Sequence, residues 1–256
     1  MIVCRSAAEL EKMRAAGRLV GEVLTALSAM VAPGVTTADL DAVAEKLIGD
    51  AGATPAFKGY HGYPATICAS LNEEVIHGIP SGRRVLAEGD IVSIDVGASL
   101  SGYFGDSAVT LPVGRVSEEA ARLLRVTEEA LFKAIERARP GGRLYDIGHA
   151  VQQHVEAHAF SVVREFVGHG IGQRMHEEPQ VPNYGEPGRG PRLSEGMVLA
   201  IEPMVNAGKP AVKVLADGWT AVTRDRSLSA HFEHTVAVTA GEPWILTARE
   251  VPVPVR

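Results

Sequence analysis

Cysteine is scarce in this chain: Cys4 and Cys68 are the only two in 256 residues. Two thiols cannot frame a disulfide-bonded fold, and their scarcity fits a reducing compartment. No Lys/Arg cluster offsets the formal charge of −6, which argues against general affinity for nucleic acid or a membrane surface. No apolar run is long enough to span a bilayer. Met1-Ile2-Val3-Cys4-Arg5-Ser6 leads straight into a charged helical pattern without the core of a signal peptide. A cytoplasmic protein is expected. There is also no linker and no low-complexity tract, so residues 1–256 read as a single domain of two related halves, about 1–115 and 116–256. At 46% hydrophobic content, such a chain can bury a substantial core.

What the chain does have is a phrase written twice. Leu86-Ala87-Glu88-Gly89-Asp90-Ile91-Val92-Ser93-Ile94-Asp95 returns as Leu193-Ser194-Glu195-Gly196-Met197-Val198-Leu199-Ala200-Ile201-Glu202. Both copies read Leu-x-Glu-Gly-x-aliphatic-x-x-Ile-acid. Upstream, His77-Gly78-Ile79 matches His169-Gly170-Ile171; downstream, Asp106 precedes Val109 as Glu233 precedes Val236. Two histidines and four carboxylates at corresponding places point to one site built by duplication, of a kind that holds metal.

Ser6 with Glu9 three residues on is a capping box, and Leu10, Met13, Gly17, Val20, Leu24 and Leu27 recur at helical spacing. A long amphipathic helix therefore opens the chain. Pro33-Gly34 stops it, and Thr37 starts a second. Short β-branched strands are expected over 65–71, 91–96 and 104–111, with 97–102 turning the second into the third. Helices are expected from 117 to about 138 and from 145 to 158. Strands follow over 162–167, 197–201, 211–215, 219–223 and 234–239, with Asp217-Gly218 as a hairpin turn. Helices followed by strands in each half give an α+β fold with an internal two-fold.

Asp95 follows Ile91, Val92 and Ile94, and Glu202 follows Val198, Leu199 and Ile201, so each carboxylate sits in a run that favours burial. A buried carboxylate must be paired or bound to a cation. For a single acid, a bridge to arginine is the ordinary reading. Arg83, Arg84 and Arg224 cannot neutralise all four, whereas two divalent ions can. Carboxylates with a few imidazoles suit Mn, Fe, Co or Zn in a two-metal site, where a shared water becomes a nucleophile near neutral pH. Gly168-His169-Gly170-Ile171-Gly172 lets backbone approach closely beside a histidine, although it lacks the spacing of a phosphate-binding fingerprint. His154 and His158 stand one helical turn apart, but Glu156 is misplaced for a His-Glu-x-x-His motif, and a solvated helix face is the simpler reading. Gly105-Asp106-Ser107 is not the Gly-x-Ser-x-Gly elbow of a serine hydrolase.

Together, Asn72-Glu73-Glu74-Val75-Ile76-His77-Gly78-Ile79-Pro80, Ile94-Asp95-Val96 with Gly105-Asp106, the run from Gly168-His169-Gly170-Ile171-Gly172 to His176-Glu177-Glu178-Pro179, and Ile201-Glu202-Pro203 with Glu233-His234-Thr235 resemble type I methionine aminopeptidase. The resemblance covers essentially the whole chain. It implies the pita-bread (creatinase/aminopeptidase) fold, with pseudo-two-fold symmetry, in one metallo-aminopeptidase domain. It implies two divalent metal ions (Co, Mn, Fe, Zn or Ni) held by Asp95, Asp106, His169, Glu202 and Glu233, of which Asp106 and Glu233 bridge. It makes Glu202 the proton shuttle, His176 a stabiliser of the oxyanion and His77 the contact to the scissile nitrogen. The implied methionine pocket is Phe57, Tyr60, Tyr63, Cys68, Met175 and Trp219, whose aromatic and soft-sulfur lining suits a thioether. The implied activity is removal of the initiator methionine from nascent chains with a small second residue, at the ribosome, by a monomer of minimal bacterial form. Gly97 stands where many members carry a hydroxyl residue, and Met175 where an aromatic is common at the pocket mouth. Two other readings remain. One is a proline-directed aminopeptidase of the same fold, a group that usually carries an extra N-terminal domain. The other is a non-catalytic binding relative, a group that typically loses ligands intact here.

Overall fold

The Ser6 hydroxyl accepts the Glu9 N–H at 3.4 Å while the Glu9 carboxylate takes the Ser6 N–H at 2.9 Å, so two donors left over at a helix start are satisfied. The computed structural model, which describes residues 1–249, runs this helix, α1, over Ala7–Met30. A second, α2, spans Thr37–Asp50 behind a Thr36/Asp39 capping box. The strands β1 (Thr54–Pro55), β2 (Ile67–Leu71), β3 (Glu74–Ile76), β4 (Ile91–Leu100) and β5 (Tyr103–Pro112) follow. Then come α3 (Glu118–Ile135) and α4 (Leu144–Ala157). The remaining strands are β6 (Ser161–Val162), β7 (Gly168–Gly170), β8 (Glu177–Val181), β9 (Val198–Ile201), β10 (Met204–Asn206), β11 (Val212–Val214), β12 (Ala221–Thr223), β13 (Ser229–His231), β14 (His234–Ala237) and β15 (Trp244–Ile245).

In the first sheet β4 pairs antiparallel with β5 on one side and with β2 and β1 on the other. A second large sheet has the order β15-β14-β9-β7-β8, and two three-stranded sheets, β13-β10-β6 and β11-β12-β3, complete the set. The two copies of the repeated phrase therefore end in equivalent places. One runs into β4, with its second acid on β5; the other runs into β9, with its second acid just before β14. The two antiparallel pairs meet where the Glu233 N–H donates to the Ala108 carbonyl at 3.0 Å and the Ser107 hydroxyl donates to the Glu233 carbonyl at 2.6 Å. Asp106 and Thr235 exchange hydrogen bonds at 3.1 and 2.8 Å at the same seam.

Behind this seam, α1 buries Met13, Ala16, Val20, Leu24 and Leu27 against β4 and β5, while α3 and α4 pack on each other and on the second half. The apolar spacing read from the sequence is the face that is buried. Contact between α1 and β5 is very close. A Cβ on Gly105 would lie 2.8 Å from the Gly17 nitrogen, and one on Gly17 would lie 2.5 Å from the Leu246 carbonyl oxygen. These neighbours are backbone atoms and cannot swing aside. Gly105→Ala is expected to cost about 1–3 kcal/mol through overpacking, seen as a lower thermal midpoint. An unchanged midpoint would show that α1 can shift without cost.

Two expectations are corrected in detail. Residues 97–102 do not form one turn: β4 continues through Gly97 to Leu100, and the reversal is confined to Ser101 and Gly102, both with positive φ (53° and 80°). Such a two-residue turn matches the twist of the flanking strands. The strand expected over 162–167 is only Ser161–Val162. Its pairing with β10 closes with the Val163 N–H donating to the Met204 carbonyl at 3.0 Å, and Arg164 beyond it stacks its guanidinium on the Tyr184 ring, 4.9 Å from the centroid. The Asp217-Gly218 hairpin is present, joining β11 to β12.

Candidate metal centre and pocket

Asp95 and Asp106 face each other's strands across β4 and β5, in adjacent registers Asp95↔Ala108 and Gly97↔Asp106. His169 stands at the centre of β7, opposite Ala200 of β9, and Glu202 and Glu233 leave the ends of β9 and β13. Close approach puts His169 there, since a Cβ on Gly168 or Gly170 would lie 2.3 or 2.2 Å from a neighbouring strand's carbonyl oxygen. The His169 Nε2 lies 3.7 Å from Glu202 Oε1 and 4.0 Å from Asp106 Oδ2. Ligand atoms of Asp106, His169 and Glu233 all fall within 4.8 Å of one another. The His169 Nδ1 lies 2.9 Å from the Gly170 carbonyl oxygen. A carbonyl only accepts, so Nδ1 carries the proton and Nε2 offers its lone pair to the acids.

Asp106 and Glu233 are buried and Asp95 and Glu202 half-buried beside them, and among the described residues no lysine or arginine pairs with any of the four. Burial pushes the Asp95 carboxyl up to about 7 and Glu202 up to about 8. Asp106 and Glu233 are pushed well above the usual range, first by burial and then by the neighbouring carboxylates. Asp95 Oδ1, Asp106 Oδ1 and Glu233 Oε1 are buried without a hydrogen-bond partner. The arginines do not help: Arg84 pairs with Glu74, and Arg224 donates to the Val212 carbonyl at 2.9 Å. Orphaned oxygens around a neutral imidazole fit divalent cations, which would supply the missing charge and coordination.

One cavity of about 360 Å³ collects every site residue expected from the sequence, together with His61. Its far wall is apolar. Phe57, Tyr63, Cys68 and Met175 are buried in one cluster with Tyr60 and Trp219 against them. Tyr63 and Trp219 meet edge to face at 5.1 Å, and the Tyr63 hydroxyl donates to the Ile67 and Gly78 carbonyls at 3.0 and 3.1 Å. Cys68 stands opposite Asp95 on the paired strand, and burial pushes its thiol up. The rim carries His176, 4.2 Å ring to ring from His169, with its Nδ1 2.8 Å from the Tyr60 hydroxyl. His77 holds a left-handed backbone (φ 60°), a conformation non-glycine residues keep only where the surroundings enforce it. Burial brings its imidazole down to about 4, so it is neutral near pH 7.

Gly97 has a steric explanation. A Cβ there would lie 2.7 Å from Phe57 Cε1 and 3.0 Å from the Ala56 Cβ, so the glycine admits the Phe57 ring to the pocket floor. Sequence reading missed His231. It is fully buried, its Nε2 has no hydrogen-bond partner and lies 3.6 Å from Glu202 Oε2. Its backbone is pinned by the Thr110 hydroxyl, which accepts its N–H and donates to its carbonyl, both at 2.8 Å.

The metallopeptidase family M24 model matches residues 11–240. The chain is 57% identical over 250 residues to a methionine aminopeptidase of Clostridium acetobutylicum, covering 98% of this chain and all of that one. The crystal structure of a Thermotoga maritima methionine aminopeptidase superposes with a TM-score of 0.96 at 48% identity, covering 97% of this chain and all of that one. A Pyrococcus horikoshii prolidase shares the fold at a TM-score of 0.78 and 24% identity, covering 99% of this chain but 66% of the prolidase.

Proposed function

The chain belongs to metallopeptidase family M24 and, within it, to the methionine aminopeptidases of pita-bread fold, and we infer from this that it removes the N-terminal methionine from peptides and new proteins. The observation that carries the reading is one cavity joining four clustered acids and a neutral His169 to an aromatic and thiol-lined wall. We propose that Asp95, Asp106, His169, Glu202 and Glu233 would together hold two divalent ions. Co, Mn, Fe, Zn and Ni all suit this donor set. Bound there, such ions supply Lewis-acid polarisation of the scissile carbonyl and of a water.

The rest falls to the chain's own groups. The methionine side chain lies against Phe57, Tyr60, Tyr63, Cys68, Met175 and Trp219, which places the first peptide bond beside the acids. Glu202 takes a proton from the attacking water and returns it to the leaving nitrogen. His77 contacts that nitrogen. With the Tyr60 hydroxyl donating to its Nδ1, His176 keeps its proton on Nε2, where it can donate to the oxygen that gains charge. Walls this close to the first bond leave room for only a small second side chain. Among the described residues no helix is long and apolar enough to cross a membrane. We place the protein in the cytoplasm as a monomer acting on nascent N-termini at the ribosome.

Purified protein loaded with Mn²⁺ or Co²⁺ should release methionine from Met-Ala-Ser and leave Ala-Pro peptides uncut. Preferential cleavage of the Xaa-Pro bond would replace this reading with the proline-directed one, and cleavage of neither, with metal bound, would leave a binding protein.

A further inference from the structure

His154 and His158, read from the sequence as part of a solvated helix face, are half-buried. The His154 side chain is 12% exposed, and α3 brings Glu129 against it, with Glu129 Oε2 3.0 Å from His154 Nε2. The two imidazoles lie 4.6 Å apart between centroids, and one ligand atom from each of the three side chains falls within 4.8 Å of the others. In a tetrahedral site such atoms sit roughly 3.4 Å apart, given bonds of about 2.1 Å. Rotation of exposed side-chain ends closes that difference.

Three further features favour a cation here. The His158 Nδ1 lies 2.8 Å from the His154 carbonyl oxygen, so Nδ1 carries the proton and Nε2 presents a free lone pair, the arrangement in which a backbone carbonyl orients a metal-binding imidazole. Arg125 Nη1 approaches Glu129 Oε1 at 3.4 Å, which leaves Oε2 facing the rings. Both histidines lie at the C-terminal end of α4, where the helix dipole favours positive charge.

We propose that Glu129, His154 and His158 form a second divalent-metal site, selective for imidazole-preferring ions such as Zn²⁺, Ni²⁺ or Co²⁺, that clips α3 to α4. It shares no residue with the acid-rich cavity and is open on one side, with water completing the coordination. Because α3 packs on β5 and β13, the clip braces the layer behind the acids while taking no part in hydrolysis.

The test is Ni²⁺ or Zn²⁺ binding to metal-stripped full-length protein, followed by elemental analysis after gel filtration. The double variant His154→Gln/His158→Gln should retain one ion fewer per chain than wild type, with hydrolysis of Met-Ala-Ser unchanged. Glu129→Gln should weaken that ion's binding about tenfold. An Asp106→Asn/Glu233→Gln variant, inactive by design, should still take up the peripheral ion. Equal metal content in wild type and the histidine double variant overturns the site, as does an acid-cavity variant that binds no ion. Activity in the histidine variant reports its folding and keeps this outcome separate from the aminopeptidase reading.

Discussion

Replacing Glu202 by glutamine lowers kcat/KM for Met-Ala-Ser by about 100- to 10,000-fold, the range a positioned acid–base group contributes. The substitution keeps volume and shape. The Glu202 carbonyl remains anchored by the Asn183 side-chain amide at 2.9 Å, so the backbone after β9 stays in place. What changes is proton chemistry: an amide cannot take a proton from water and hand it to the leaving nitrogen. The charge set changes as well, because Glu202 is one of four acids crowded with His169 and His231. Metal content must therefore be measured beside the rate. A variant that retains its ions yet cleaves at the wild-type rate removes Glu202 from proton transfer. A variant that recovers activity only at raised Mn²⁺ assigns the residue to ligation alone.

The candidate residues that line the cavity were legible in the sequence because duplication repeats a pattern, and an acid within an apolar run has few physical outlets. Asp95 and Glu202 are found that way, and Asp106 and Glu233 by their matched positions downstream. His231 was not found, although a signal existed. It lies two residues before Glu233, and in extended chain such residues share a face, so a histidine there points toward whatever the acid faces. The Gly97 departure could not be interpreted from sequence, because its cause is the Phe57 ring 40 residues earlier, a contact only the folded chain makes. The neighbour of His154 and His158 is hidden from sequence for a similar reason. Helical spacing gives the face they share, but only the packing of α3 on α4 brings Glu129 to its edge. Helix limits came close because caps are local, as at Ser6 and Thr36. The strand over 162–167 is cut short because pairing depends on a partner, and β10 offers only Met204–Asn206, with Pro203 before it.

The metal-stripped protein should lose stability as pH rises from 6.5 to 8, and divalent metal should reverse the trend. In the folded chain Asp95 and Glu202 hold protons up to about 7 and about 8, with Asp106 and Glu233 pushed well above the usual carboxylate range. In the unfolded chain all four have released theirs by about pH 5. The native state therefore binds more protons throughout this window, and stability falls with rising pH. The buried histidines oppose this only in part. His169, His77 and His234 are brought down to about 3, about 4 and about 3 and are neutral in the fold throughout, whereas an unfolded imidazole is about half protonated at pH 6.5 and nearly neutral by pH 8; each returns about 0.4 kcal/mol over the window, most of it below about pH 7.25, while the carboxyl protons held by the fold act across all of it. One proton held by the native state alone tilts stability by about 1.4 kcal/mol per pH unit. Over this window that is about 2 kcal/mol, or a fall of roughly 4–8 °C in thermal midpoint for a chain of this size. With Mn²⁺ in excess the same acids are held ionised, protons become competitors, and the midpoint should instead rise with pH while lying above that of the stripped protein. Differential scanning fluorimetry at pH 6.5, 7.25 and 8, with chelator or with Mn²⁺, separates the cases. A stripped protein whose midpoint stays flat or climbs would mean that the acids are not held protonated in the fold, and the argument that they wait there for cations would fail with it.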